Sequence, residues 1–243
     1  MWRNKKRSLV VILSIAIGIL GMHLSMGFMN SMSMQMIDNT INTSLGHVAI
    51  HKKGYQDSMK LDYNFKPEKK YIDTIEQLVK QKKIKAFAPR VKVEGMARSS
   101  ESARGVLVIG IEPDVEKNVS KLYDYTIKKN GSRYITKSDR NSVLISKYLA
   151  DKLELSLGDK LVLLIQNKNK KIEGVGLTIV GLYQTPIESF DKYVVYMQLF
   201  ELKKITGLGE NISELTVVTY DKTKALNIRD LLKSKINNTT LEY

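Results

Sequence analysis

An uninterrupted apolar segment near the amino terminus constrains this chain more than any other feature. Residues 9–28 form a run of 20 without a formally charged side chain at neutral pH. A helix of that length can cross a hydrocarbon core of about 30 Å. A cleavable signal peptide is the alternative, but its apolar region covers only about 7 to 15 residues and ends at a small-residue cleavage site, which is absent here. We therefore predict a retained transmembrane helix over residues 9–28.

Four basic residues precede the apolar segment, namely Arg3, Lys5, Lys6 and Arg7. Positive residues next to a membrane span stay on the cytoplasmic side, so these residues are predicted to set the topology. Residues 1–8 are then a cytoplasmic flank, and the chain after the helix lies outside the cytoplasm. We expect the chain in the inner (cytoplasmic) membrane, with the residues after the helix in the periplasm.

The predicted helix continues past the apolar segment and carries a methionine-rich seam. Residues 29–43 contain neither proline nor glycine, so we expect them to extend the helix as a stalk. Apolar residues recur at steps of four and three along one side, which indicates a contact surface for cargo or a partner helix. The members of this seam are Ile15, Ile19, Met22, Met26, Met29 and Met36. Flexible methionine side chains suit acyl-chain contact, and ordinary helix packing is the alternative.

A second face of the same helix is built from small residues. Its members are Ser14, Gly18, Gly21 and Ser25. Small side chains let another helix approach closely in lipid, so this face is predicted to pack against a helix. His23 is the one titratable residue within the span, and it is expected either to face a protein interior or to reach toward the outer interface.

The charge and the cysteine content narrow the functional classes. The chain has a formal net charge of +14 and no cysteine, which excludes disulfides, cysteine nucleophiles and cysteine-based metal sites. A basic chain can bind nucleic acid, but the predicted location and the lack of a recognition motif argue against that partner. Attraction to anionic lipid headgroups or to an acidic partner is the better use of this charge, unless it reflects only a biased composition.

The region after the helix is predicted to be an α+β domain. Strand, helix and strand follow one another in residues 44–103 and again in residues 207–243, which suggests a split βαβ layer. Residues 104–206 are expected to form an inserted, mainly β subdomain. Separate strands are predicted at residues 84–88 and 91–97, and Pro67 is placed in the first turn of the helix that ends at Lys80.

No catalytic or cofactor-binding motif is present. His47 and His51 fall in a predicted strand, about 13 Å apart at strand rise, which is too far for two ligands of one metal. Phosphate-binding loops and nucleophile elbows are absent, and the acidic residues are expected on solvated faces without pairing. We predict no enzyme, no cofactor and no metal.

Four ordered sequence patterns resemble one family of membrane proteins. They are WRNKKRS before the apolar helix, TSLGHVAIH with KGY at residues 43–55, VIGIEP at residues 108–113, and the succession ISKYLA, LGD, VGLY, Asp191 and Val194. Together they cover most of the chain. This order is similar to that of the FtsX-like permeases of ABC transporters, which include the lipoprotein-releasing subunits LolC and LolE and the MacB-like exporters.

The resemblance implies an architecture, partners and a function. Residues 44–103 and 207–243 would form a Porter-like part, and residues 104–206 a Sabre-like part. The implied partners are a second permease subunit, alike or different, a cytoplasmic ABC ATPase dimer on a separate chain, membrane lipids, a lipoprotein cargo and a periplasmic carrier. The implied function is coupling of ATP hydrolysis to release of a lipoprotein or other amphiphile. A membrane-anchored module for peptide sensing or cell-wall hydrolase control is the alternative.

The chain also departs from the family pattern. Permeases of this kind have three further membrane helices after the outer domain, so we expect this chain to be a fragment of a longer permease. The segment Asn167 to Gly176 is polar and contains glycines, so we predict an exposed hairpin connection there. It occupies the place of the LolC hook that grips the carrier, yet it has no proline or aromatic residue. A LolE-like role or another cargo is therefore expected in preference to carrier docking.

Overall fold

The structure, a computed structural model, describes residues 5–41, 43, 46–58 and 61–243. The chain divides into two compact units, a helical unit that ends at Thr40 and a folded domain from Ile41 to Tyr243. Arg3, predicted to set the topology, lies outside the described residues, as do the side chain of Lys5 and position 42 of the predicted stalk.

The first unit is one continuous helix, α1, from Lys5 to Thr40. Its 36 residues extend about 54 Å at 1.5 Å per residue, which exceeds a hydrocarbon core of about 30 Å. Among the described residues, only this helix has the length and apolar composition needed to cross a membrane. The predicted amino-terminal apolar helix is confirmed, and it includes residues 29–40 without a break.

The second unit is an α+β domain, as predicted. Its described strands are β1 (Val48–Lys52), β2 (Ile84–Arg98), β3 (Ala103–Ile111), β4 (Ser142–Ser146), β5 (Lys160–Gln166), β6 (Ile172–Tyr183), β7 (Val194–Gln198), β8 (Glu214–Thr219) and β9 (Leu241–Glu242). The longer helices are α3 (Lys69–Lys80), α6 (Lys147–Leu153), α8 (Leu199–Thr206) and α9 (Ala225–Ile236). Single helical turns are α2 (Tyr55–Ser58), α4 (Pro113–Glu116), α5 (Leu122–Tyr125), α7 (Glu188–Asp191) and two 3-10 turns, Leu61–Tyr63 and Lys222–Lys224.

One part of the domain is an open antiparallel sheet in the order β2, β8, β1, β9. Helices α3 and α9 supply the apolar residues that cover it, including Ile75, Leu78 and Leu232, which are fully buried. Pro67 lies before the N-cap of α3, Glu68, so its predicted place in the first helical turn is wrong by two residues. The sheet and the two helices reproduce the predicted pair of strand, helix and strand units.

The other part is a closed barrel of six strands. Strand β3 pairs with both β7 and β2, and the circuit β2, β3, β7, β4, β6, β5 returns to β2. Closure leaves no free edge within this circuit, which removes the unpaired backbone groups that favour aggregation. Alternate residues such as Val91, Val108 and Ile145 fill the interior, because successive side chains of a strand point to opposite faces. Leu149 of α6 and Leu202 of α8 complete this core.

Strand β2 belongs to both parts. Residues 84–90 pair with β8 of the open sheet, and residues 91–98 pair with β3 of the barrel. The two separate strands predicted here are therefore wrong, because the backbone stays extended through Pro89, which lies opposite Leu215. The predicted boundary at residue 103 stays a prediction, since one strand serves both layers.

The connection between β5 and β6 is shorter than predicted. Strand β6 already begins at Ile172, so the turn contains only residues 167–171. The Asn167 side chain accepts hydrogen bonds from the backbone N–H groups of Asn169 and Lys171, at 2.9 and 3.0 Å. This is a tight hairpin closed by an asparagine side chain, and residues 172–176 are part of the barrel wall.

Gly181 of β6 provides a test of this packing. The pairing of β6 with β4 shifts between Ile179 and Gly181, and a methyl group at Gly181 would overlap the carbonyl oxygen of Arg133 and approach Leu144 to 2.8 Å. We expect Gly181→Ala to lower the free energy of unfolding by about 1–3 kcal/mol, the usual cost of overpacking. The urea midpoint of the full chain in detergent measures this change.

Gly176 of the same strand is the matched control. No atom lies within 4 Å of a methyl group placed there, so Gly176→Ala is expected to change the free energy of unfolding by at most about 0.5 kcal/mol. Equal midpoints for the two variants would contradict the close approach of residue 133 to β6.

Candidate functional site

The methionine-rich seam lies along one side of α1. At about 100° per residue, its six members all fall within about 60° of Ile15 around the helix axis. Their exposed fractions are high, from 54% for Ile19 to 69% for Met29 and Met36. The described part of the helical unit therefore leaves these apolar side chains uncovered. A contact role for the seam stays a prediction that fits its exposure.

The small-residue face occupies a neighbouring sector of α1. Its four members centre about 90° from Ile15, and a methyl group at Gly18 or Gly21 would meet no atom within 4 Å. The Ser14 hydroxyl donates to the carbonyl of Val11 at 2.9 Å, so its hydrogen-bonding needs are met inside the helix. This face is open, as close helix packing in lipid requires.

His23 and the described basic residues of α1 are also exposed. His23 lies about 80° from Ile15 on the side away from the small residues, and its Nδ1 is 3.0 Å from the carbonyl oxygen of Ile19. Of the four residues predicted to set the topology, Lys6 and Arg7 have described side chains, and both are exposed at the start of the helix. Their topological role stays a prediction.

The domain contains a buried ion cluster that sequence reasoning missed. It consists of Arg90 and Lys92 of β2, Glu116 of α4 and Glu214 of β8, with exposed fractions between 1% and 7%. Arg90 binds Glu116 through Nε and Nη2, at 3.2 and 2.6 Å. The Nη1 atom of Arg90 lies 3.6 Å from Glu214, and the Lys92 ammonium lies 2.8 Å from the same carboxylate. The expectation that acidic residues sit unpaired on solvated faces is therefore wrong.

The electrostatics of this cluster favour the charged forms. Burial opposes ionisation of Glu214, but Lys92 and Arg90 outweigh it and hold the pKa of this carboxyl below its ordinary value. Burial also opposes the charge of Arg90, yet Glu116 and Glu214 raise the pKa of the guanidinium above its ordinary value. Two buried cations thus balance two buried anions.

The cluster lies where the open sheet meets the barrel. Val91 and Val93 point into the barrel core, so Arg90 and Lys92, which alternate with them, point to the opposite face. Arg90 is directly opposite Glu214 in the β2–β8 pairing, and Glu116 reaches it from α4 after strand β3. The four charges therefore join the sheet, the barrel and the α4 segment. Alternating charges on a strand are typical of a solvated face, so the sequence pattern did not indicate that these four charges are buried.

The two histidines of the domain occupy separate places. His47 lies just before β1, and its Nδ1 accepts a hydrogen bond from the backbone N–H of Thr219 at 2.9 Å. His51 is buried in β1, with Nδ1 3.9 Å from the Glu242 carboxylate. Among the described residues, no three histidine, aspartate or glutamate side chains converge as metal ligands.

Asp191, one of the residues that carry the family resemblance, has a structural setting. Its carboxylate accepts hydrogen bonds from the N–H and the hydroxyl of Thr185, at 2.9 and 2.8 Å. Burial raises the pKa of Asp191, and the two bonds from Thr185 act in the opposite direction. The residue therefore anchors the loop between β6 and β7.

This architecture is similar to that of known proteins. Residues 8–235 match the family described as MacB-like periplasmic core domain. The extracellular domain of the noncanonic ABC-type transporter YknZ from Gram-positive bacteria is similar over 80% of this chain and 98% of that chain, with 16% identity and a TM-score of 0.51. The periplasmic region of MacB from Actinobacillus actinomycetemcomitans is similar over 80% of this chain and 86% of that chain, with 17% identity and a TM-score of 0.50. At 16% and 17% identity, the similarity to these two structures supports the fold alone.

Proposed function

The chain belongs to the MacB-like periplasmic core domain family of ABC-transporter permeases, and on this premise we propose that it couples cytoplasmic ATP hydrolysis to release of an amphiphilic cargo. The resemblance inferred from the sequence is confirmed at the level of the MacB-like family. A lipoprotein is the cargo we propose, released at the outer face of the inner membrane.

The observation that carries this proposal is the continuity of α1. A single helix of 36 residues contains the whole apolar segment and ends at the residue before the domain begins. An unbroken helix transmits displacement along its axis and sideways at its ends, because its backbone hydrogen bonds resist bending. Motion imposed at the basic end near Lys6 would then reach the extracytoplasmic end of the same rod.

The energy for this motion comes from elsewhere in the proposed assembly. We assign ATP hydrolysis to a separate cytoplasmic ABC ATPase dimer, and this chain to a non-catalytic permease subunit. A second permease subunit, identical or related, would pack against the small-residue face in lipid. Coupling between ATPase and cargo is then a displacement of packed rigid elements.

Cargo contact is assigned to the seam. Its exposed methionines offer a deformable apolar surface that adapts to acyl chains of different shape. Met26 lies near the centre of the seam, about 20° from Ile15, and Leu24 lies about 160° away from Met26 on the opposite side of the helix.

Site-specific photocrosslinking tests this assignment. We expect a photoreactive residue at Met26 of the full permease, in membranes with its ATPase, to capture an acylated lipoprotein. The yield should fall at least about fivefold when ATP hydrolysis releases the loaded cargo, and should stay high when hydrolysis is blocked after loading. It should also fall at least about fivefold when acylation of the cargo is prevented. Mass spectrometry of the crosslinked product identifies the acyl adduct.

The control places the same photoreactive group at Leu24, which has nearly the same depth in the membrane. Leu24 is expected to capture lipid but not acylated cargo. If the photoreactive group at Met26 captures only partner helices, the seam is a helix-packing surface and does not contact cargo. Capture of a cell-wall hydrolase or a peptide by the outer domain, without acylated cargo, would favour the alternative of a regulatory module.

A further inference from the structure

A cleft of about 670 Å³ opens on the surface of the domain. It lies between the start of α3, the α4 turn and the first turns of α8. Four lysines line it, namely Lys66, Lys69, Lys137 and Lys203. Its apolar wall includes Val115 and Phe200, and the Phe200 ring is 63% exposed although it is large and apolar.

Lys203 is the residue that distinguishes this cleft from an ordinary charged surface. Its side chain is partly buried, and its ammonium donates to the backbone carbonyl of Glu210 at 3.3 Å. Within the described part of the chain, no carboxylate lies within 4.0 Å of this ammonium. Burial lowers the pKa of Lys203, while the more distant Glu112 and Glu210 act in the opposite direction. The cation has given up part of its hydration without gaining a contacting anion.

The charge balance of the cleft leaves cations in excess. Lys66 is paired with the Glu210 carboxylate, and Asp114 lies 3.8 Å from Lys117. In the described residues, Lys69, Lys137 and Lys203 form no ion pair, and Glu112 is the one acidic group of the lining that is also unpaired. Three unpaired cations against one unpaired carboxylate make the cleft attractive to anions.

The shape of the apolar wall decides what kind of anion fits. A phospholipid would need a long continuous apolar surface for its acyl chains, whereas here the apolar residues form a short wall beside charged ones. An extended peptide presents alternating side chains to such a surface, so that an apolar residue can contact Phe200 while flanking carboxylates reach the lysines. Exposed aromatic rings are frequent anchors at such interfaces.

We propose that this cleft binds an acidic peptide segment of an extracytoplasmic partner protein, with carboxylates at Lys69, Lys137 and Lys203 and an apolar side chain against Phe200. The inference rests on the proposed function only for the location of the domain outside the cytoplasm. It requires neither ATP hydrolysis nor lipoprotein release.

A displayed library of random 12-residue peptides, selected on the full chain in nanodiscs, tests the proposal. Selected peptides are expected to be enriched in Asp and Glu around an aromatic or aliphatic residue. Lys203→Gln and Phe200→Ala should each weaken their binding at least about fivefold, and binding should weaken as salt screens the charges. Neither side chain is needed for folding, because one is a desolvated cation and the other is mostly exposed, so the thermal midpoints should not fall.

Two neighbouring residues supply matched controls. Lys204 is the exposed lysine next to Lys203 on α8, and Leu226 has an exposed fraction of 62%, close to that of Phe200. Lys204→Gln and Leu226→Ala are expected to keep peptide binding within about twofold of wild type. Peptides without acidic enrichment, or equal losses for Lys203→Gln and Lys204→Gln, would overturn the proposal.

The last arm separates peptide from lipid and the cleft from the transport function. Vesicles of phosphatidylglycerol are added to the chain with a selected peptide bound. If the vesicles bind through Lys203 and the peptide is not displaced, the peptide lies elsewhere and Lys203 belongs to a headgroup site, which would overturn the peptide proposal. Peptide binding at the cleft without cargo crosslinking at Met26 would support the peptide proposal and contradict the proposed cargo release. Cargo crosslinking at Met26 without peptide binding would support cargo release and contradict the peptide proposal.

Discussion

Replacement of Glu116 by alanine is expected to lower the free energy of unfolding by about 3–5 kcal/mol, the cost of leaving a buried charge without its partner. Arg90 is 1% exposed and gives two hydrogen bonds to this carboxylate. A guanidinium cannot lose its proton in a protein, so it cannot become neutral when the anion is removed. The nearest other carboxylate, Glu214, is 3.6 Å from Arg90 and already bound to Lys92.

Urea unfolding of the full chain in mild detergent, followed by far-ultraviolet circular dichroism, measures this loss. Asp114→Ala is the control on the same helical turn, because the Asp114 side chain is 69% exposed and its ion pair with Lys117 lies at the surface. Its removal is expected to cost at most about 1 kcal/mol. The double replacement Arg90→Met with Glu116→Leu should recover most of the stability, since both charges leave together.

The stability loss of Glu116→Ala tests whether the buried ion cluster stabilises the junction between the open sheet and the barrel. A loss below about 1 kcal/mol for Glu116→Ala would mean that water reaches Arg90 and that the junction between sheet and barrel is loose. A loss in the expected range would mean that the buried ion cluster contributes strongly to the junction between the open sheet and the barrel.

Gly21→Leu is expected to disrupt pairing of α1 with a second membrane helix, with association weakened at least about tenfold, or about 1.4 kcal/mol. Glycine lets two helix backbones approach closely, and a leucine side chain would hold them apart. A clash within α1 is not expected, because a methyl group at Gly21 would meet no atom within 4 Å and the neighbouring side chains of the helix are exposed. Crosslinking or energy transfer between labelled subunits in lipid vesicles measures the association.

Gly27→Leu is the matched control for this experiment. Gly27 lies on the same helix, is equally open, and falls about 150° from the centre of the small-residue face, which places it on the other side. We expect it to leave association within about twofold of wild type. Equal losses at both positions would show a general effect of added bulk, and no loss at either would remove the small-residue face as a helix contact.

Features that depend on near neighbours were predictable. The apolar segment required α1, since 20 consecutive residues that are mostly apolar and carry no formal charge form a helix in a bilayer. Helix α6, Lys147–Leu153, begins at a local signal in the sequence, because Ser146 caps it by accepting a hydrogen bond from the N–H of Leu149. Helix α8 ends at Thr206, because its C-cap Gly207 has a positive φ of 69° that glycine adopts without strain.

Features that depend on distant neighbours were not predictable from the pattern. The pairing of β3 with both β2 and β7 closes the barrel, yet neither strand pattern names its partner. The hairpin segment was placed in a long loop because glycines at positions 174 and 176 are typical of turns, whereas here they lie in the wall of the barrel. Register depends on which apolar faces meet, which is a property of the whole domain.

The sequence by itself thus determined the membrane helix, the two faces of that helix and most of the helices and strands of the domain, because periodicity and capping act within a few residues. Tertiary structure alone decided the closure of the barrel, the passage of β2 through both layers and the burial of four charges. Arg90 and Glu116 are 26 residues apart, and Lys92 and Glu214 are 122 apart. Charges that the local pattern assigns to water become buried partners only when the sheet brings their strands together.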